Sequence, residues 1–108
     1  MIWTEASHLV PAGAVVGELE VGGVVWDLYY EPEMDLAPYG WPEPFVYMAY
    51  LAREPVRAGP LDLGAFFDDL LARGYVPADA YLACISFGNE VQLGAGRTEV
   101  AGYAIEVE

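Results

Sequence analysis

Apolar positions along this chain recur with a period of two in most stretches and with a helical period in one. Val15, Gly17, Leu19 and Val21 alternate with Val16, Glu18 and Glu20, which predicts a strand with unlike faces. Gly22-Gly23 is a tight hairpin signal. It leads into Val24-Val25-Trp26-Asp27-Leu28-Tyr29-Tyr30, rich in the β-branched and aromatic residues that strands favour. Further strands are predicted over residues 1–5, 45–51, 81–90 and 98–107. The helical stretch runs between Asp62 and Arg73, with Asp62 as N-cap and Gly74 as the C-terminal stop. Leu63, Phe66, Phe67, Leu70 and Leu71 form its apolar face, and Asp68, Asp69 and Arg73 the polar one. Residues 31–44 hold four prolines and read as a loop, and Pro11-Ala12-Gly13 as a turn. Six strands and one helix in this order predict a mainly β fold: an antiparallel β-sandwich with one α-helix packed on an outer face.

Length and composition narrow the picture. The 108 residues make one domain, 1–108, and 56% hydrophobic with 14% aromatic content is ample for a packed core. Seventeen acidic residues against four arginines leave a net charge of −13. Such a field repels phosphate backbones and anionic lipid heads, so neither nucleic acid nor a membrane surface is an expected partner. Cys84 is the only cysteine and sits in an apolar strand pattern, which predicts a core or cleft-wall residue without a disulfide. No apolar run approaches the roughly 18–20 residues that span a bilayer, and no basic segment followed by an apolar one marks a signal peptide at residue 1. His8 has no second His or Cys nearby, so no metal site is expected there. Asp27, Glu31, Glu33 and Asp35 lack calcium-loop spacing and read as solvated.

The candidate chemistry lies on residues 81–90. By strand parity Tyr81, Ala83, Ile85 and Phe87 share one face, uniformly apolar, and Leu82, Cys84, Ser86, Gly88 and Glu90 the other. The second face is small and mixed, as a substrate groove requires, and ends on a carboxylate beside the loop Gln92-Leu93-Gly94-Ala95-Gly96. Taken alone, an acidic residue at a strand end reads as a solvated cap. Trp26, Tyr29, Tyr30, Tyr39 and Trp41 offer aromatic faces for sugar rings. Parity groups Trp26 with Leu28 and Tyr30, opposite Tyr29, and leaves Trp26 open to either a core or a cleft position.

Several segments taken in order say more than any one. They are Met1-Ile2-Trp3, Pro11-Ala12-Gly13, Gly22-Gly23-Val24-Val25-Trp26-Asp27-Leu28-Tyr29, Phe66-Phe67-Asp68-Asp69-Leu70-Leu71 and Phe87-Gly88-Asn89-Glu90. The series resembles the C-terminal half of glycoside hydrolase family 12, endo-β-1,4-glucanases and xyloglucanases built on a β-jelly roll. Members of that family carry E-x-M-I/V-W on the nucleophile strand, then P-x-G, then G-G-x-x-W-D/E-L/V-Y/W, and later a strand ending G-T/F-E. The resemblance implies a partial jelly roll in which Glu90 is the general acid/base. Met1, Trp3 and Pro11 then line the cleft, Trp26 and Asn89 contact substrate, and Asp27 has a structural role. Asn89 stands where the family has Thr or an aromatic, and Val91-Gln92 departs from the usual Pro-Phe or Pro-Trp. The nucleophile would lie two residues before Met1. Retention needs two carboxyl groups about 5–5.5 Å apart, so a chain with Glu90 alone is expected to be inactive.

The same resemblance implies a β-1,4-linked glucan substrate (cellulose, xyloglucan or mixed-linkage glucan), no cofactor, no metal and an extracellular setting. Sheet edges left without their partners would favour self-association. Two other functions stay open on the residues: a non-catalytic glucan-binding jelly roll, and a purely structural β-sandwich.

Overall fold

The computed structural model describes residues 1–91 and 94–107. The chain forms two compact units, residues 1–78 and 79–108. The first holds every regular element among the described residues: β1 (Ile2–Trp3), β2 (Ala14–Val21), β3 (Val24–Met34), a 3-10 turn (Ala37–Tyr39), β4 (Phe45–Ala52) and α1 (Leu63–Ala72). The four strands make one sheet in the order β1-β4-β3-β2. The fold is thus mainly β with one helix, as the patterning predicts, but the sheet is mixed. β2, β3 and β4 are antiparallel neighbours, and β1 runs parallel to β4. Residues 4–13 carry the chain from one edge of the sheet to the other, and a crossover of that length leaves strand direction free where a tight hairpin would force it antiparallel.

The β2–β3 hairpin turns at Gly22 and Gly23, both with positive φ (62° and 76°), and pairs Val21 with Val24. Two left-handed residues in a row are what a two-residue turn of matching twist needs. Each long pairing also contains one extra residue. The register between β2 and β3 shifts between Val15 and Gly17, which moves Val15 off the buried face to which simple alternation assigns it. The β3–β4 register shifts between Glu31 and Met34, around Pro32, which has no N–H for a ladder. That irregularity lets β3 continue to Met34, beyond the loop start expected at residue 31.

One sheet face carries the core. Leu28 and Trp26 of β3, Tyr50 and Ala52 of β4 and Val21 of β2 are buried with Phe66 and Leu70 of α1. Phe66 meets the Trp26 ring edge-on at 5.0 Å and the Tyr50 ring at 4.9 Å between centroids. The Trp26 indole N–H donates to the Val21 carbonyl at 3.3 Å. Asp62 caps α1, its Oδ1 accepting from the Ala65 amide. The buried stripe of α1 is rotated from the one that spacing alone predicts. Phe67 and Leu71 face solvent, while Asp69 turns towards the sheet. The Tyr50 hydroxyl donates to Asp69 Oδ2 at 2.6 Å, and Arg73 Nε donates to the same oxygen at 2.7 Å. Arg73 Nη2 then reaches the Glu18 carbonyl on β2 at 2.9 Å. Its guanidinium lies so close over Gly17 that any Cβ there would collide with it.

The second unit corrects the sequence reading. None of its described residues is in a strand, although strands were expected over 81–90 and 98–107. The side chains expected as inter-sheet core, Tyr81, Ile85 and Phe87, are exposed, and so is Cys84. Phe87 and Tyr103 stack at 5.5 Å, so the two segments approach each other through rings without forming a ladder. Strand propensity measures fit to a half-buried pleated surface, and alternation by itself supplies no hydrogen-bonding neighbour.

Two outcomes test the core. Phe66→Ala lowers unfolding free energy by about 3–5 kcal/mol in chemical denaturation, whereas Phe67→Ala, on the solvent side, changes it by under about 1 kcal/mol. Tyr50 also makes stability fall in alkali. Burial first, and the bond to Asp69 second, push its phenol well above the ordinary range. The folded state therefore keeps a proton that the unfolded state gives up near pH 10. Stability is complete below that pH and declines above it. Tyr50→Phe gives a shallower decline above about pH 10 in denaturation midpoints; equal slopes for the two proteins would refute the assignment.

Candidate functional site

β1 decides which residues share the open face. Ile2 pairs with Tyr50 and so points with it towards the helix side, while Trp3 pairs with Leu51 and points the other way. The ladder runs on through Met1, whose carbonyl accepts from the Tyr50 amide at 3.0 Å and whose amino group donates to the Met48 carbonyl at 2.6 Å. Alternation puts Met1 on the Trp3 side. The structure thus brings Met1 and Trp3 together on the face opposite α1. There Trp3, Leu51, Asp27 and Glu18 form one row across all four strands. A second row holds Ala49, Tyr29 and Val15. Trp3 Nε1 is buried and has no hydrogen-bond partner among the described residues.

Trp26 belongs to the opposite face. At 1% exposure beneath Phe66 it is a core residue, which settles the two positions left open by its sequence and corrects its place among substrate contacts. The physical reason is parity: Trp26 pairs with Ala52 and Leu19 on the side that the helix covers. Pro11 is also buried, so its ring is wall rather than free surface. Gly13 follows with φ 88°, its Cα packed against the Tyr30 carbonyl where a Cβ would collide. Glycine is required there both for the left-handed backbone and for the close approach.

A cavity of about 280 Å³ opens over this face, lined by Glu5, Leu9, Val10, Asp27, Leu51 and Arg53 among others. Its charges are mutually paired. Arg53 grips Asp27 through Nε and Nη2 (2.7 Å at the closest) and bridges to Glu18 at 2.6 Å. The two carboxylates hold the guanidinium's proton more tightly than usual, the Asp27 hydrogen bond contributing most. Arg57 pairs with Glu5 at 2.6 Å, and that hydrogen bond holds the Glu5 carboxyl below its ordinary range. The charges at this cavity are thus committed to ion pairs with arginine. Sequence spacing had no means of showing the Glu18–Asp27–Arg53 cluster, because its members meet only through the register of β2, β3 and β4. Asp27, one of the acidic residues read as solvated, is an ion-pair residue of this cluster. His8 is exposed with φ 59°. Among the described residues no three His, Cys, Asp or Glu side chains are grouped to hold a metal ion, and no helix is long and apolar enough to cross a membrane.

Glu90 and Asn89 belong to the second unit, where both are exposed. They stand on irregular backbone rather than at the end of a strand. Gln92 and Leu93 of the expected glycine-containing loop lie outside the described residues, and Gly94 has φ 96°.

Comparison with known proteins gives these residues a family. The family model described as glycosyl hydrolase family 12 matches residues 1–108. Among solved structures, a native family 12 xyloglucanase from Bacillus licheniformis superposes with a TM-score of 0.60 at 19% identity, over 70% of this chain and 32% of that one. A metagenome-derived family 12 endoglucanase gives 0.53 at 31% identity, over 69% and 29%. Endoglucanase Cel12A from Rhodothermus marinus gives 0.51 at 31% identity, over 69% and 30%. No curated protein sequence matches. The chain spans about a third of the length of the solved structures it matches. With the ordered motifs, the open Met1–Trp3 face and a match along its whole length, the chain belongs to glycosyl hydrolase family 12.

Proposed function

We propose that this chain carries the acid/base half of a retaining endo-β-1,4-glucanase site, with Glu90 as the proton-transfer group. The observation that carries most weight is the family match over all 108 residues, which supports reading Phe87-Gly88-Asn89-Glu90 as the counterpart of the family's G-T/F-E strand end. The nucleophile belongs two residues ahead of Met1 in the E-x-M-I/V-W motif. Continuing the parallel β1–β4 register by that spacing puts such a Glu across from Tyr47, on the face of Met1 and Trp3. That face is also the one that α1 leaves uncovered, which supports its use as a cleft.

In this reading Glu90 first donates its proton to the leaving glycosidic oxygen while the nucleophile attacks the anomeric carbon. It then takes a proton from the water that releases the glycosyl-enzyme. The substrate is a neutral β-1,4-glucan, consistent with a chain of net charge −13. Met1 and Trp3 line the cleft and Asn89 contacts the sugar beside Glu90. Retention needs both carboxyl groups, so turnover of soluble β-glucan depends on the nucleophile as much as on Glu90.

In a polypeptide that supplies the Glu ahead of Met1, Glu90→Gln lowers hydrolysis of β-glucan by about 10²–10⁴-fold. The deficit shrinks for aryl cellobiosides with good leaving groups, because their departure needs no proton. Azide then restores turnover as a β-glycosyl azide. An equal loss for all leaving groups, with no azide product, would remove Glu90 from the acid/base role.

A further inference from the structure

The loop joining β3 to β4 is unlike the rest of the first unit in what it exposes. Tyr39 is 82% and Trp41 56% accessible, the largest exposures of any aromatic side chains in residues 1–78. Their backbone is nevertheless held in place. The Asp35 carboxylate accepts from the Ala37 amide at 2.8 Å, and the Leu36 carbonyl accepts from both the Tyr39 and Trp41 amides. Gly40 closes the turn in the left-handed region (φ 91°), its amide bonded to the Ala37 carbonyl. Pro38, Pro42 and Pro44 limit φ on either side of the two rings. Trp41 also rests against Phe45, the first residue of β4, at 5.4 Å between centroids. The rings are thus presented on a fixed turn, and little conformational entropy remains to be lost when a ligand lands on them.

We propose that Tyr39 and Trp41 form an auxiliary stacking platform for a β-1,4-glucan chain, separate from the residues assigned to catalysis. This inference rests on the family reading for its choice of ligand. The local chemistry favours the same class. Exposed aromatic faces match the apolar C–H faces of an equatorially linked sugar ribbon. The neighbouring charges, Glu33, Asp35 and Glu43, are all acidic, and the first 52 residues contain no Lys or Arg. Such surroundings accept hydrogen bonds from sugar hydroxyls and repel phosphates, nucleic acid and anionic lipid. The platform raises the local concentration of polymer at the enzyme and adds nothing to bond cleavage itself.

Native affinity electrophoresis of the 108-residue chain in gels containing xyloglucan, hydroxyethylcellulose or dextran tests this. The two β-1,4-glucans retard the wild-type chain and α-linked dextran does not. Trp41→Ala weakens the apparent affinity about three- to tenfold, and Tyr39→Ala combined with it weakens it further. Both variants keep the wild-type melting transition, because neither side chain is in the core. In a Trp3→Phe background, which removes the cleft tryptophan, xyloglucan also quenches tryptophan emission, and Trp41→Ala removes most of that quenching, since Trp26 is buried. A double variant retarded like the wild type overturns the platform while leaving glucan as the ligand of the family site. Wild-type mobility unaffected by either β-glucan, or equally slowed by dextran, also overturns it, and Glu90 is then judged by the leaving-group and azide measurements alone.

Discussion

Everything legible in the first unit depends on the seating of α1 against the Trp26–Tyr50 face of the sheet. Apolar contact supplies most of the attraction there: Phe66 fits between two aromatic rings, and Leu70 covers what remains. Such contact is not directional, so it leaves the rotation of the helix weakly determined. The polar chain from Tyr50 through Asp69 and Arg73 to the Glu18 carbonyl supplies that missing direction. It ties β4, α1 and β2 together and passes over Gly17, where a side chain would displace the Arg73 guanidinium.

Once that face is closed, the other is the only one the sheet can offer. Strand parity does the sorting. Ile2 and Trp26 go inward, and Met1, Trp3, Asp27 and Glu18 go outward. On the outward side Arg53 ties Glu18 and Asp27 into one ion-pair cluster, and Arg57 does the same for Glu5.

The helix shows how far local rules reach. Asp62 as N-cap and Gly74 as stop fixed its ends closely, because capping is a contact among near neighbours in sequence. Its inward stripe was only half legible. Five apolar residues stood on one side of the helical wheel, and the choice of Phe66 and Leu70 over Phe67 and Leu71 came from Asp69 finding Tyr50. The strands divide in the same way. Gly22-Gly23 marked the hairpin, yet the irregularities beside Val16 and Pro32 are properties of a pair of strands and have no signature in either strand alone. Residues 81–90 and 98–107 carry convincing alternation, yet none of these described residues joins a ladder, because hydrogen-bonding partners are a property of the neighbourhood.

The sequence by itself determined the class of the fold, the hairpin, the helix ends and, through its ordered motifs, the family. These follow from contacts a few residues apart or from a linear order of residue types. Only the tertiary structure decided that Trp26 is core, that β1 lies parallel to β4, and that Glu18, Asp27 and Arg53 form one cluster. It also decided that Tyr39 and Trp41 stand exposed on a locked turn. Each of those depends on which distant segments are neighbours, and neighbour choice is set by burial of the helix–sheet core, a quantity no single stretch of the chain contains.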